Sequence, residues 1–138
     1  MPLRDSSHTG ARGELLFANH FLEQRLFISQ PMFDLWGADF CVEWEGALHK
    51  VNVKTMCKVE KDDVYKVATV KVNASSGLRR YSSDEISYFG VVNLHYGRIW
   101  MVPLEAIDGK CSLNYKGPME RRKRNDSRAF DWEKYRIR

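Results

Sequence analysis

The sequence predicts an α/β (α+β) fold: an N-terminal helix, then a run of strands forming a central sheet, with short helices beside it. Three observations carry this reading. Apolar residues between Glu14 and Leu22 recur at helical spacing. Between Asp39 and Thr55, apolar and polar residues alternate on both sides of Gly46, as in a half-buried hairpin. Two further apolar runs, Phe89 to Asn93 and Arg98 to Val102, flank a turn at Tyr96-Gly97.

Residues 1–9 are polar and are expected to fray. Thr9-Gly10 can start the helix, Gly13 weakens its first turn, and the helix is expected to run to about Arg25. Counted from Glu14, the apolar stripe is Phe17, Ala18, Phe21 and Leu22. Glu14 therefore lies on this stripe or at its edge. A carboxylate there is costly to bury unless it is paired or ligated; the alternative is a wet Glu favoured by the helix dipole. Leu26 to Ser29 reads as a short strand closed by Pro31, and Met32 to Gly37 as a loop carrying Asp34 and Trp36.

In the hairpin, Phe40, Val42 and Trp44 share one face of the first strand, and Val51 and Val53 one face of the second. Asp39, Asn52 and Lys54 fall on the opposite faces. With an even-numbered loop, Trp44 pairs with Ala47 and Asp39 faces Asn52, with Cβ atoms about 5 Å apart. Lys54 is one step further along the same face. A carboxylate, an amide oxygen and an ammonium then converge, a set that can hold a hard divalent cation and a phosphate together. Lys54 also fits an ordinary exposed strand lysine.

Downstream, Lys58 to Asp63 is a charged turn and Val64 to Val70 an alternating strand. Asn73 to Gly77 is turn-rich and leads to Arg79-Arg80-Tyr81. Ser82 to Glu85 can cap one helical turn, Pro103 ends the last strand, and Leu104 to Ile107 is expected as a short helix. The end changes composition: the basic run Arg121-Arg122-Lys123-Arg124 precedes an aromatic segment with Phe130, Trp132 and Tyr135. It reads either as a phosphate-contacting arm or as a solvated cluster on a tail whose aromatics pack back onto the sheet.

The 138 residues suit one domain with a real core, and an apolar fraction of 43% argues against disorder. The net charge of +4 favours an anionic partner without requiring one. Cys41, Cys57 and Cys111 form no C-x-x-C pair, which points to reduced thiols in a cytosolic setting. No apolar run is long enough for a membrane span, and Asp5, His8 and Arg12 interrupt any signal-peptide core.

A helix bearing Gly13-Glu14, Pro31 before an acidic loop, Ala38-Asp39-Phe40 opening a strand and Val51-Asn52-Val53-Lys54-Thr55 closing the next form an ordered set. This set resembles the PD-(D/E)XK nuclease superfamily, and within it the small homing endonucleases of that type and related phage and resolvase-like nucleases. Tyr81 to Pro103, with Glu85-Ile86 and Ile99 to Leu104, is similar to them as well. The resemblance implies a restriction-endonuclease-like core with a mixed central β-sheet and flanking helices. The resemblance covers roughly 10–107 and so implies a nuclease-like domain over 10–110; it does not cover the tail, and 111–138 reads from its composition as a basic, aromatic C-terminal extension. One position departs: the second acidic position of the motif is Asn52, where the homing-type members carry Gln. The change removes a negative charge from the metal site.

What the resemblance implies chemically is metal-dependent hydrolysis of DNA. Asp39, Asn52, the Val53 carbonyl and Glu14 would hold Mg²⁺, with Mn²⁺ as a substitute, and Lys54 would act on the water or the phosphate. Asp34 is a rival for Asp39, disfavoured because it sits in a loop. Arg79, Arg80, Arg121, Arg122, Lys123 and Arg124 would contact DNA. The expected assembly is a homodimer or homotetramer in a bacterial or phage-infected host cytoplasm. A Holliday junction resolvase-like nuclease, a nuclease-derived DNA-binding module that cuts weakly or not at all, and a protein-interaction domain using the aromatic tail are the other readings.

Overall fold

The computed structural model describes residues 5–33, 37–59, 64–73, 77–117 and 130–138. The first element is helix α1 (Asp5–Glu23). Strands β1 (Ile28–Ser29), β2 (Phe40–Trp44) and β3 (Ala47–Thr55) follow as an antiparallel meander. Short strands β4 (Cys57–Lys58), β5 (Tyr65–Ala68), β6 (Val70–Asn73) and β7 (Gly77–Arg80) come next. Then come β8 (Tyr88–Asn93), β9 (Arg98–Pro103), a 3-10 helix (Leu104–Ile107) and β10 (Ser112–Tyr115). The four-residue α2 (Trp132–Tyr135) and β11 (Arg136–Ile137) end the chain.

Among the described residues, the main sheet has six strands in the order β1-β2-β3-β8-β9-β11. It is mixed because β3 and β8 pair in parallel, Val51 opposite Tyr88 and Thr55 opposite Val92, while the other neighbours are antiparallel. A parallel pair needs a long crossover. Here the crossover folds into β4 to β7, which build two small sheets, β10-β5-β4 and β6-β7.

The two faces of the sheet carry different cores. Phe17 and Phe21 of α1 are fully buried against Phe40, Val42, Val51, Val53, Val92, Ile99, Met101 and Ile137. The opposite face joins Phe89, Val91, Trp100 and Val102 to Met56, Val67, Tyr81, Ile86, Leu113, Tyr115 and Trp132. Alternation along each strand sends neighbouring residues to these two layers.

Several local expectations change. The helix starts at Asp5, so Thr9-Gly10 lies inside it and the described part of the stretch expected to fray is helical. Leu22 is 61% exposed, because the inward stripe runs through Gly13, Phe17 and Phe21 and leaves position 22 about 100° away. The strand expected over Val64 to Val70 breaks at Thr69. Its N–H donates to the Cys111 carbonyl and its hydroxyl to the Lys110 carbonyl. The chain thereby changes partner, from β10 to β7. Ser82 to Glu85 closes a single turn, with the Glu85 and Ile86 N–H groups both on the Ser82 carbonyl. Beyond Lys110, among the described residues, β10 pairs with β5, and β11 edges the main sheet beside β9. Trp132 lies edge-on to Trp100 and donates its indole N–H to the Asn114 carbonyl at 2.7 Å. Asp34, Trp36 and Arg121 to Arg124 lie outside the described residues.

Candidate active site

The β2–β3 turn sets the register of the site. Glu45 and Gly46 both have positive φ, 50° and 81°, the pattern of a two-residue turn whose twist matches the strands. Trp44 pairs with Ala47 and Phe40 with Val51, so one step beyond the ladder Asp39 comes opposite Asn52. The Asp39 N–H still donates to the Val51 carbonyl at 2.8 Å. Beyond that point β2 ends, while β3 continues to Thr55. The Val53 N–H on this uncovered edge is taken by the Asp39 carboxylate, Oδ2 accepting at 2.7 Å. A backbone donor thus aims the side chain of Asp39 at the middle of β3.

Asn52 is 7% exposed. Its Nδ2 donates to the Gly37 carbonyl at 2.7 Å, which leaves Oδ1 as the opposite end of a fixed amide. That oxygen is buried and meets no hydrogen-bond donor among the described residues. A buried acceptor without a partner costs about 1–3 kcal/mol.

Lys54 follows on the same face of β3. Its ammonium donates to the Tyr81 hydroxyl at 3.1 Å and lies 5.1 Å from the centre of the Tyr81 ring. Glu14 comes from α1. Burial first, and then the negative charge of Asp39, push its carboxyl above the usual carboxylate range. Two carboxylates on different elements therefore repel each other across the site. Close packing brings them together: a Cβ on Gly13 would overlap the Thr55 hydroxyl, and one on Gly90 would overlap the Phe17 ring. Only glycine lets α1 approach β3 and β8 this closely.

Asp39 thus bonds the Val53 N–H and stands opposite Asn52, and Lys54 follows Asn52 on the same face of β3; Glu14 is related to this group through the charge of Asp39. The two arginines expected to contact DNA are exposed, and each has a partner within the chain. Arg79 makes a two-pronged pair with Glu85, at 2.9 and 2.8 Å, and the Arg80 guanidinium donates to the Gly109 carbonyl. Sequence reasoning missed the working roles of Gly13, Gly37 and Tyr81. Gly13 next to Glu14 was the one available signal, since a glycine inside a helix is unfavourable unless something passes close to it.

The donors fit a hard cation. Among the described residues, no three His, Cys, Asp or Glu side chains group as a metal site. Two carboxylates and an amide oxygen suit Mg²⁺, which accepts few protein oxygens and keeps several waters. A cation at Asn52 Oδ1 would also satisfy the oxygen that the fold leaves without a donor.

A family model described as PD-(D/E)XK endonuclease matches residues 4–135. Among solved structures, the chain is similar to a bacterial homing endonuclease, I-Ssp6803I, with a TM-score of 0.75 and 20% identity, over 96% of this chain and 88% of that one. At that identity the likeness is one of fold, and it agrees with the α+β class and the mixed central sheet behind an N-terminal helix. No curated protein matches the chain. With the family model spanning nearly the whole sequence, from the helix that bears Glu14 to the aromatic end, this chain belongs to the PD-(D/E)XK endonuclease family.

Proposed function

We propose that the protein is a metal-dependent DNA endonuclease of homing type, using Mg²⁺ and accepting Mn²⁺. The observation that carries this reading is the buried Oδ1 of Asn52, left without a donor on a residue that stands opposite Asp39 and two before Lys54. Asp39, Asn52 Oδ1 and the Val53 carbonyl would hold the cation, and Glu14 would hold a water or a second ion beside it. When bound, the cation supplies an acidified water and neutralises phosphate charge. Water attacks phosphorus and gives up a proton to solvent, the bond to the leaving oxygen breaks, and that oxygen takes up a proton from solvent. Lys54 orients the water or stabilises the charge that develops on the phosphoryl oxygens.

Arg121 to Arg124, outside the described residues, supply phosphate contacts, and Arg79 and Arg80 join them only by giving up their internal partners. A chain this small reaches few base pairs, so a homodimer or homotetramer acts on a longer site in the bacterial or phage-infected host cytoplasm. No helix among the described residues is long and apolar enough to cross a membrane.

Asn52 in place of an acid favours a second reading, a nuclease-derived DNA-binding module that cuts weakly. The test is incubation with linear duplex, single-stranded and four-way-junction DNA, with and without Mg²⁺. Mg²⁺-dependent cleavage of linear duplex at defined sites supports the homing type. Cleavage confined to the junction moves the protein to the resolvase-like nucleases. Binding without cleavage establishes the second reading.

A further inference from the structure

We propose that Tyr81 is a positioning residue that aims the Lys54 ammonium into the site; the inference deepens the nuclease reading and rests on it for its catalytic meaning. Tyr81 meets Lys54 in two ways, through the hydroxyl that accepts from Nζ at 3.1 Å and through the ring, whose centre is 5.1 Å from Nζ. The hydroxyl is a neutral acceptor. It holds a lysine in place without cancelling its charge, as a carboxylate partner would. A four-carbon side chain held at its tip loses the rotamer freedom that would otherwise oppose productive geometry.

Tyr81 is itself immobilised. It is 9% exposed and stands edge-on to Phe89, with ring centres 5.3 Å apart and planes at 90°. On the other side it packs against Gly37, where an added Cβ would stand 3.2 Å from the tyrosine ring. Gly37 is also the residue whose carbonyl holds the Asn52 amide. Just before Tyr81, Arg79 is pinned by both oxygens of Glu85. Just after it, the Ser82 N–H and hydroxyl bond to the same carboxylate at 3.2 Å. The chain on both sides of the ring is therefore tied to Glu85, through the Arg79 side chain and the Ser82 N–H, and the Tyr81 ring lies between Lys54 and the Gly37 that holds Asn52.

The test is Tyr81→Phe, which keeps the ring and removes only the oxygen. Single-turnover cleavage at saturating Mg²⁺ should slow about tenfold or more, the scale of one hydrogen bond to a charged group. Duplex DNA affinity and melting temperature should stay at wild-type values. A merely structural role would lower the melting temperature and leave the rate at saturation unchanged, and that outcome overturns the proposal. The ¹⁵N NMR signal of the Lys54 ammonium, assigned by its loss in Lys54→Arg, is read without any cleavage. It should move in Tyr81→Phe. A signal that stays put overturns the Tyr81 proposal whatever the enzyme does. A signal that moves in a protein that never cuts DNA overturns the nuclease reading and leaves the contact standing.

Discussion

Gly13 and Thr55 touch where α1 crosses the end of β3: a side chain of even one carbon on Gly13 would overlap the Thr55 hydroxyl, with Thr55 Cβ at 3.0 Å and Cγ2 at 3.2 Å. This contact sets how near Glu14 comes to the strand that carries Asn52 and Lys54. Gly13→Ala improves helix propensity by about 1 kcal/mol in isolation. The overlap should reverse that sign, for a net loss of about 1–3 kcal/mol in urea denaturation, together with a loss of cleavage. Adding Thr55→Ala removes Oγ1 and Cγ2, so the double variant should recover most of both. If Gly13→Ala alone is stabilising and fully active, the close approach has no role.

Glu14 carries a testable sign. Its folded-state pKa is raised above the ordinary 4.5 by burial and by Asp39. In that window the folded chain binds more protons at this site than the unfolded chain, so the group makes stability fall as pH rises through it. In chelator, Glu14→Gln should therefore be at least as stable as wild type at neutral pH, and the gap between the two should close toward acid. The same change should cut cleavage by roughly 10- to 100-fold, because a ligand to a bound water is weakened while its shape is kept. Wild-type cleavage in Glu14→Gln would make it a helix residue and nothing more.

Asp39 has two separable roles. Its carboxylate accepts from the Val53 N–H, so Asp39→Ala should cost about 1–3 kcal/mol of stability as well as all Mg²⁺-dependent cleavage. Asp39→Asn keeps an acceptor and should lose cleavage with little loss of stability. DNA binding should survive in both, or tighten as a charge near phosphate is removed.

Asn52→Asp adds a charge at the buried oxygen. Half-maximal cleavage should come at lower Mg²⁺, even if turnover falls through repulsion of the phosphate. Calorimetric titration with Mg²⁺ or Mn²⁺ decides the matter: equal affinity in wild type, Asp39→Ala and Asn52→Asp would sink the metal site. Lys54→Ala should abolish cleavage and weaken binding slightly while leaving metal affinity unchanged.

The basic run is tested by salt. Replacing Arg121, Arg122, Lys123 and Arg124 with Ala should weaken binding about equally for all DNA sequences. The slope of log affinity against log salt should flatten by nearly one unit per lost contact. Arg79→Ala and Arg80→Ala should change the slope less, since both side chains already have surface partners within the chain, Glu85 and the Gly109 carbonyl. An unchanged slope in the tail variant would assign the run to packing or assembly.

The sequence by itself determined what depends on neighbours along the chain. Alternation about Gly46 and a two-residue turn were enough for the β2–β3 register, and therefore for setting Asp39 against Asn52. The β8–β9 pair and the short helix after Pro103 were legible for the same reason: turn chemistry and period are local. Tertiary structure alone decided the parallel pairing of β3 with β8, because a crossover has no periodic signature. It also decided the break at Thr69, which is made by carbonyls of Lys110 and Cys111 some forty residues away. Leu22 looked like core and is exposed, since which helix face turns inward is chosen by the sheet that the helix meets. The site divides the same way. Its residue types stand in the sequence, but the burial of Asn52 Oδ1 away from any donor among the described residues, the hold of Tyr81 on Lys54 and the repulsion between Glu14 and Asp39 exist only once distant segments are packed together.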